Sequence, residues 1–130
     1  MPEFVTDTHS LLWYFTRPQR LGSRAAAAFS QVVSGAANLI VPIIVLAELM
    51  LIAEHKPASA DFDRILGVLQ VSPNIIIADL TATRLAAMRV LTAIADLHDR
   101  AIVAEAQARR AILITRDQAI IASGLAKVVW

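Results

Sequence analysis

A chain of 130 residues is about one domain, long enough to bury a single core. Hydrophobic residues make up 57% of it and aromatic residues only 5%, yet no apolar run reaches the roughly 18 residues of a membrane helix. With no cysteine there is no disulfide framework and no thiolate zinc site, and a net charge of +1 marks no dedicated polyanion binder.

The start of the chain lacks a basic segment followed by a signal-type apolar core, so the expectation is a soluble, cytoplasmic protein. Lys56 and Lys127 are the only lysines among twelve basic residues. The rest are arginines, the better fork for phosphate. The apolar surplus is compatible with some surface being kept for a partner chain.

In chain order, Phe4 to Thr6 reads as a short buried strand and Thr8 to Phe15 as an apolar helix, broken at Arg17-Pro18. Ser23 is the expected N-cap of an alanine-rich helix from Arg24 to Val33. Leu39 to Val41 is a second strand, and Pro42 suits the first turn of a helix running to about Glu54. Asp61 to Gln70 follows as a helix with apolar residues at helical spacing. Ser72-Pro73-Asn74 is a turn before a third strand, Ile75 to Ile77. The pattern predicts helices over Thr81 to Ile94 and Leu97 to Arg110, a fourth strand at Ile112 to Ile114, and a short helix from Gln118 to Ala122. Val128 and Val129 supply a fifth strand. Solid apolar strands separated by helices indicate a parallel sheet covered on both faces, with ligands outside the carboxyl ends of its strands.

Four acids fall where such a sheet places its chemistry: Asp7 just after the first strand, Glu48 within the apolar helix after the second, Asp99 near the start of a helix, and Asp117 after the fourth strand. Asp7 and Asp117 also suit helix N-caps, and Asp99 suits a first-turn acid favoured by the helix dipole. Glu48 has no such account. Its neighbours Ile44, Val45, Leu49, Leu51 and Ile52 surround it with apolar groups, so a metal, an arginine or a cleft must serve it. Together the four form a hard-oxygen donor set of the kind Mg²⁺ or Mn²⁺ prefers, and such an ion activates water and stabilises charge on a phosphodiester. Asp96, three positions before Asp99, is either an auxiliary acid on the same helical face or the helix N-cap. Glu105 lies about 240° around the helix from Asp99 and should face elsewhere. His9 and His98 lack zinc-ligand spacing with each other and read as local structural or substrate-contacting residues. Arg17, Arg20 and Arg116 read first as solvated surface, with phosphate contact as the alternative.

These residues also resemble a known family. Asp7-Thr8-His9-Ser10-Leu11-Leu12-Trp13 after a first strand is similar to the opening of a PIN domain, in particular of VapC-type toxins. Ala47-Glu48-Leu49, the run Asp96 to Ala106, and Leu113-Ile114-Thr115-Arg116-Asp117 resemble the family's later motifs, in order. The resemblance implies one PIN domain over residues 1–130, a three-layer α/β/α fold with a mainly parallel sheet of four to five strands. It implies a metal-dependent endoribonuclease acting on single-stranded RNA, with Asp7, Glu48, Asp99 and Asp117 binding Mg²⁺ or Mn²⁺. Thr115 matches a hydroxyl position near the metal, and Arg100 matches the arginine beside the third acid, read here as structural. As partners it implies a VapB-like antitoxin, RNA and a second copy of the chain, with no membrane. A PIN-fold RNA-binding or regulatory module without a toxin role is the alternative. A haloacid-dehalogenase phosphatase would need an acid at position 9, where His9 stands, and a phospho-receiver would need paired acids at the first strand.

Overall fold

The computed structural model describes residues 1–130. Five strands, β1 (Glu3–Thr6), β2 (Asn38–Pro42), β3 (Ile75–Ala78), β4 (Ile112–Ile114) and β5 (Val128–Val129), form one sheet in the order β3-β2-β1-β4-β5. Every pairing is parallel, with Val5 opposite Ile40 on one side and Leu113 on the other. Seven helices connect them: α1 (Thr8–Thr16), α2 (Ser23–Val33), α3 (Ile43–His55), α4 (Phe62–Val71), α5 (Ala82–Met88), α6 (Leu97–Arg109) and α7 (Gln118–Ser123). Single 3-10 turns at Pro18–Arg20 and Pro57–Ser59 follow α1 and α3.

Successive side chains of a strand point to opposite faces. Phe4, Val5 and Thr6 are all buried, as are Leu39, Ile40 and Val41, so both faces of the central strands are covered. The result is the expected three-layer α/β/α arrangement, with five strands and no antiparallel member. From β1 the chain passes to β2 on one side and returns later to β4 on the other. The crevice between β1 and β4 is therefore the point at which strand order reverses, where open α/β sheets bind ligands.

Local readings changed at three places. Ser23 opens α2 as its first residue; the cap is Gly22, and no side chain caps this end. A Cβ on Gly22 would stand 2.5 Å from the carbonyl carbon of Trp130, so close approach, not capping chemistry, decides this position. Pro42 closes β2 opposite Ala78 of β3, so it stands at the cap position just outside α3 and not in its first turn. The helix expected over Thr81 to Ile94 ends at Met88. Beyond it, Leu91 N–H bonds Met88 O and Ile94 N–H bonds Leu91 O, a succession of three-residue turns. Met88, Leu91 and Ile94 are all buried at steps of three, the period of tight turns and not of an α-helix.

Glu105, on α6, is 3% exposed and turned away from the other acids, as its helical position requires. Arg84 of α5 and Arg109 each bond it through Nε at 2.6 Å. Burial alone would raise its carboxyl, but the hydrogen bonds from Arg109 and Arg84 outweigh this and hold it below the usual glutamate range. A carboxyl depressed in the fold stabilises above its unfolded pKa and loses that contribution on acidification. Glu105→Gln should therefore cost about 1–3 kcal/mol at pH 7 in chemical denaturation. The gap from wild type should narrow as the pH falls below about 4.5.

Candidate acidic site at the carboxyl ends of the strands

Asp7 is the residue after β1, and its N–H bonds Ile114 O, the last residue of β4, at 3.3 Å. Its Oδ1 accepts from Ser10 N–H at 2.9 Å and so caps α1. Its Oδ2 accepts from the hydroxyl of Thr115, which is fully buried just beyond β4. That same hydroxyl oxygen accepts from Asp117 N–H at 3.0 Å. Thr115 thus ties together the acids that follow the two strands flanking the crevice. Asp117 Oδ1 in turn caps α7 through Ile120 N–H at 3.0 Å.

The chain reaches the same edge from two other directions. Helix α3 leaves β2 at its carboxyl end, and Glu48 lies in its second turn. Helix α6 precedes β4, so it runs back against the strands and begins at their carboxyl ends. Asp96 caps it through Asp99 N–H at 3.0 Å, and Asp99 stands in its first turn. Arg100 is tied elsewhere, its Nε donating to Ile94 O at 2.6 Å. It pairs with no carboxylate.

Glu48 corrects the reasoning from its apolar neighbours. It is half-buried, Ile43, Met50 and Leu51 of the same helix are exposed, and neither an arginine nor full burial governs it. The Thr8 hydroxyl donates to its Oε1 at 2.6 Å, and His98 Nδ1 lies 3.2 Å from its Oε2. Neither partner was legible beforehand: Thr8 has the look of a first helical residue, and His98 lies fifty positions away. His9 is exposed and rests against Trp13, ring centroids 5.6 Å apart.

The acids act on one another at Asp99. Its carboxyl is pushed up to about 6, first by burial and then by the charges of Asp96, Asp117, Glu48 and Asp7. All four sequence-predicted acids, and the auxiliary Asp96, therefore share one electrostatic neighbourhood. No three acid or histidine side chains stand together as a finished metal cage. The hydrogen bonds explain this, since Asp7 and Glu48 direct oxygens at the protein's own donors. The donor set of the four acids is nevertheless all carboxylate oxygen, the chemistry that suits a hard divalent cation.

The sequence matches the PIN domain family over residues 4–123. The chain belongs to the PIN domain family. Solved structures agree in fold. A VapBC2 structure from Rickettsia felis, bound to a DNA fragment from its promoter, contains a chain 15% identical, covering 98% of this chain and 97% of the other at a TM-score of 0.74. A DNA-bound VapBC from Salmonella typhimurium is 17% identical, with coverage of 99% and 98% and a TM-score of 0.70. A toxin–antitoxin complex from Klebsiella pneumoniae is 22% identical, with coverage of 97% and 95% and a TM-score of 0.66. Among curated proteins, none matches the chain. No helix of this PIN domain is long and apolar enough to cross a membrane.

The raised Asp99 has a consequence for stability. In the unfolded chain it ionises near 3.8, but in the fold it keeps its proton up to about 6. Folding therefore loses stability as the pH rises through that window, and the loss is complete above it. For a half-buried group solvent screening leaves about 1 kcal/mol of this. Without added metal, Asp99→Asn should melt about 4 °C above wild type at pH 7.5. The two should converge in scans near pH 4.

Proposed function

We propose that this PIN domain is a divalent-metal-dependent endoribonuclease that cleaves single-stranded RNA, serving as the toxin of a toxin–antitoxin pair. The observation that carries the reading is the convergence of Asp7, Glu48, Asp96 and Asp117 on Asp99. A fold has little reason to gather ionised carboxylates at a ligand-binding edge unless a cation joins them. Asp7, Glu48, Asp99 and Asp117 are the residues to hold Mg²⁺ or Mn²⁺. When bound, the ion supplies an activated water and charge stabilisation for phosphodiester hydrolysis.

The chain's own residues prepare the site. Thr115 orients Asp7 through one oxygen while Ser10 N–H fixes the other, so this carboxylate has a set direction before any ligand arrives. Thr8 and His98 do the same for Glu48. Asp96 fixes the backbone at the start of α6 and so the position of Asp99. Arg100 anchors the preceding loop through Ile94 O.

The partner assignment has two supports. The similar solved structures are toxin–antitoxin complexes, and this chain exposes large apolar side chains such as Ile43, Met50 and Leu85. An apolar cleft of about 380 Å³, lined by Tyr14, Phe15, Phe29 and Val33 among others, suits a segment of a VapB-like antitoxin. The exposed Ile43 and Met50 of α3 suit a second copy of the chain.

Purified protein should cut a single-stranded RNA in the presence of Mn²⁺ and stop when EDTA is added. Asp7→Asn or Asp99→Asn should each lower the rate by at least about 100-fold, as for loss of a metal ligand in catalysis. Cleavage that survives chelation or either substitution would remove the assigned mechanism. Thr8→Val leaves every acid in place but frees Glu48 to turn. It should weaken Mn²⁺ binding about 10-fold in calorimetry with little change in melting temperature. An unchanged affinity would mean that Thr8 has no positioning role.

A further inference from the structure

Beside the acids lies a second cleft of opposite character. It occupies about 440 Å³ between α1, the Pro18–Arg20 turn, α3 and the Pro57–Ser59 turn. Arg17, Arg20, Lys56, His9 and His55 contribute to its lining, and no acid does. For a chain of net charge +1 this is a strong local excess. Arg17, Arg20 and Lys56 are exposed, and none has a carboxylate partner: the ion pairs of the fold are Arg84–Glu105, Arg109–Glu105 and His98–Glu48. Solvated surface, the first reading of Arg17 and Arg20, does not explain why the unpaired cations share one concavity.

The cleft adjoins the acidic site along α1 and α3. Helix α3 carries Glu48 and then, one to two turns on, the cleft residues Leu51, Ile52 and His55. At the helical rise this places the cleft roughly 5–10 Å along the axis from Glu48. His9, in its lining, directly follows the Thr8 that holds Glu48. Trp13, in the cleft lining, meets an arginine from each region. Arg20 lies 5.6 Å from the centre of its ring, and Arg116, between Thr115 and Asp117, lies 4.4 Å from it. Arginine over an indole face is held without losing its outward donors.

We propose that this cleft is a phosphate-backbone subsite that holds the single strand on one side of the cut, with Arg17, Arg20 and Lys56 as its phosphate contacts. The proposal rests on the ribonuclease reading above, and it adds which way the strand leaves the acids. The lining presents cations on a shallow apolar wall and no rigid edge-reading pair, so it grips backbone and contributes affinity without base preference.

The test is fluorescence anisotropy of a labelled single-stranded RNA oligonucleotide against wild type, Arg17→Gln/Arg20→Gln, Lys56→Gln and Lys127→Gln, the last at the opposite end of the sheet. The double variant should bind at least about 10-fold more weakly, and its log-affinity should fall with log-salt less steeply by about 1.4, two single-strand phosphate contacts. Its kcat at saturating RNA should stay within about threefold of wild type, because uniform binding is lost and not transition-state binding. Lys56→Gln should show half the salt effect, and Lys127→Gln none. Unchanged affinity and salt slope in both cleft variants, with wild type binding and cutting RNA, would overturn this proposal alone. Wild type that binds RNA but cuts none would fail the ribonuclease reading and with it the placement of the subsite beside a cut, while weaker binding and a shallower salt slope in the cleft variants would still support the phosphate contacts. Wild type that binds no RNA would overturn both. Loss of affinity only for a poly-aspartate peptide, with RNA affinity intact, would make the cleft a dock for an acidic segment and refute the proposal.

Discussion

Carboxylates that face one another repel, and the organisation of this domain's active edge depends on how that repulsion is contained. Burial first, and then the charges of Asp96, Asp117, Glu48 and Asp7, push Asp99 up, so its carboxyl holds its proton to about pH 6. The fold tolerates this because most of these acids have a second employment. Asp7, Asp96 and Asp117 each accept from the third backbone N–H beyond them, so each is fixed by the helix it starts. The positive ends of three helices then lie at the same edge as the negative charges.

This double use follows from the parallel sheet. Each strand must hand the chain to a helix at its carboxyl end, so helix starts gather at that edge and their caps gather with them. An aspartate cap uses one oxygen on the helix and keeps the other. At Asp7 the second oxygen receives the Thr115 hydroxyl, which also receives Asp117 N–H, so β1 and β4 are locked together by side chains where their backbones part. Glu48 is the exception, reached from mid-helix and held by Thr8 and His98 instead. The basic cleft begins one turn farther along the same helix, so attraction for a polyanion adjoins attraction for a cation.

The strands and their parallel pairing could be read in advance because runs such as Leu39-Ile40-Val41 are apolar on both faces, and only a sheet covered twice has use for them. The places of Asp7, Asp99 and Asp117 were legible for a related reason: each follows a strand or stands at the start of a helix, and topology brings those places together, whereas Glu48 stood out only as a carboxylate among apolar neighbours. The cap reading and the site reading of Asp7 and Asp117 were posed as rivals, and the hydrogen bonds show that the caps are real without displacing the acids from the shared edge. Other features had no local signal. The partners of Glu48 come from positions 8 and 98, contacts that only tertiary packing creates. The early end of α5 was hidden because steps of three apolar residues fit both a helix and a string of tight turns. Gly22 serves as a cap because Trp130 packs against it, more than a hundred positions away.

The central claim is that the gathered charge is a cost in the empty protein that a divalent cation turns into binding. Thermal melting of wild type and Asp99→Asn across a Mn²⁺ titration at pH 7.5 tests it most directly. Wild type should gain stability with metal, by about 2.7 kcal/mol at a hundred times its dissociation constant, and should overtake the variant, whose melting temperature stays nearly flat. A wild-type melting temperature that ignores Mn²⁺ would contradict the account.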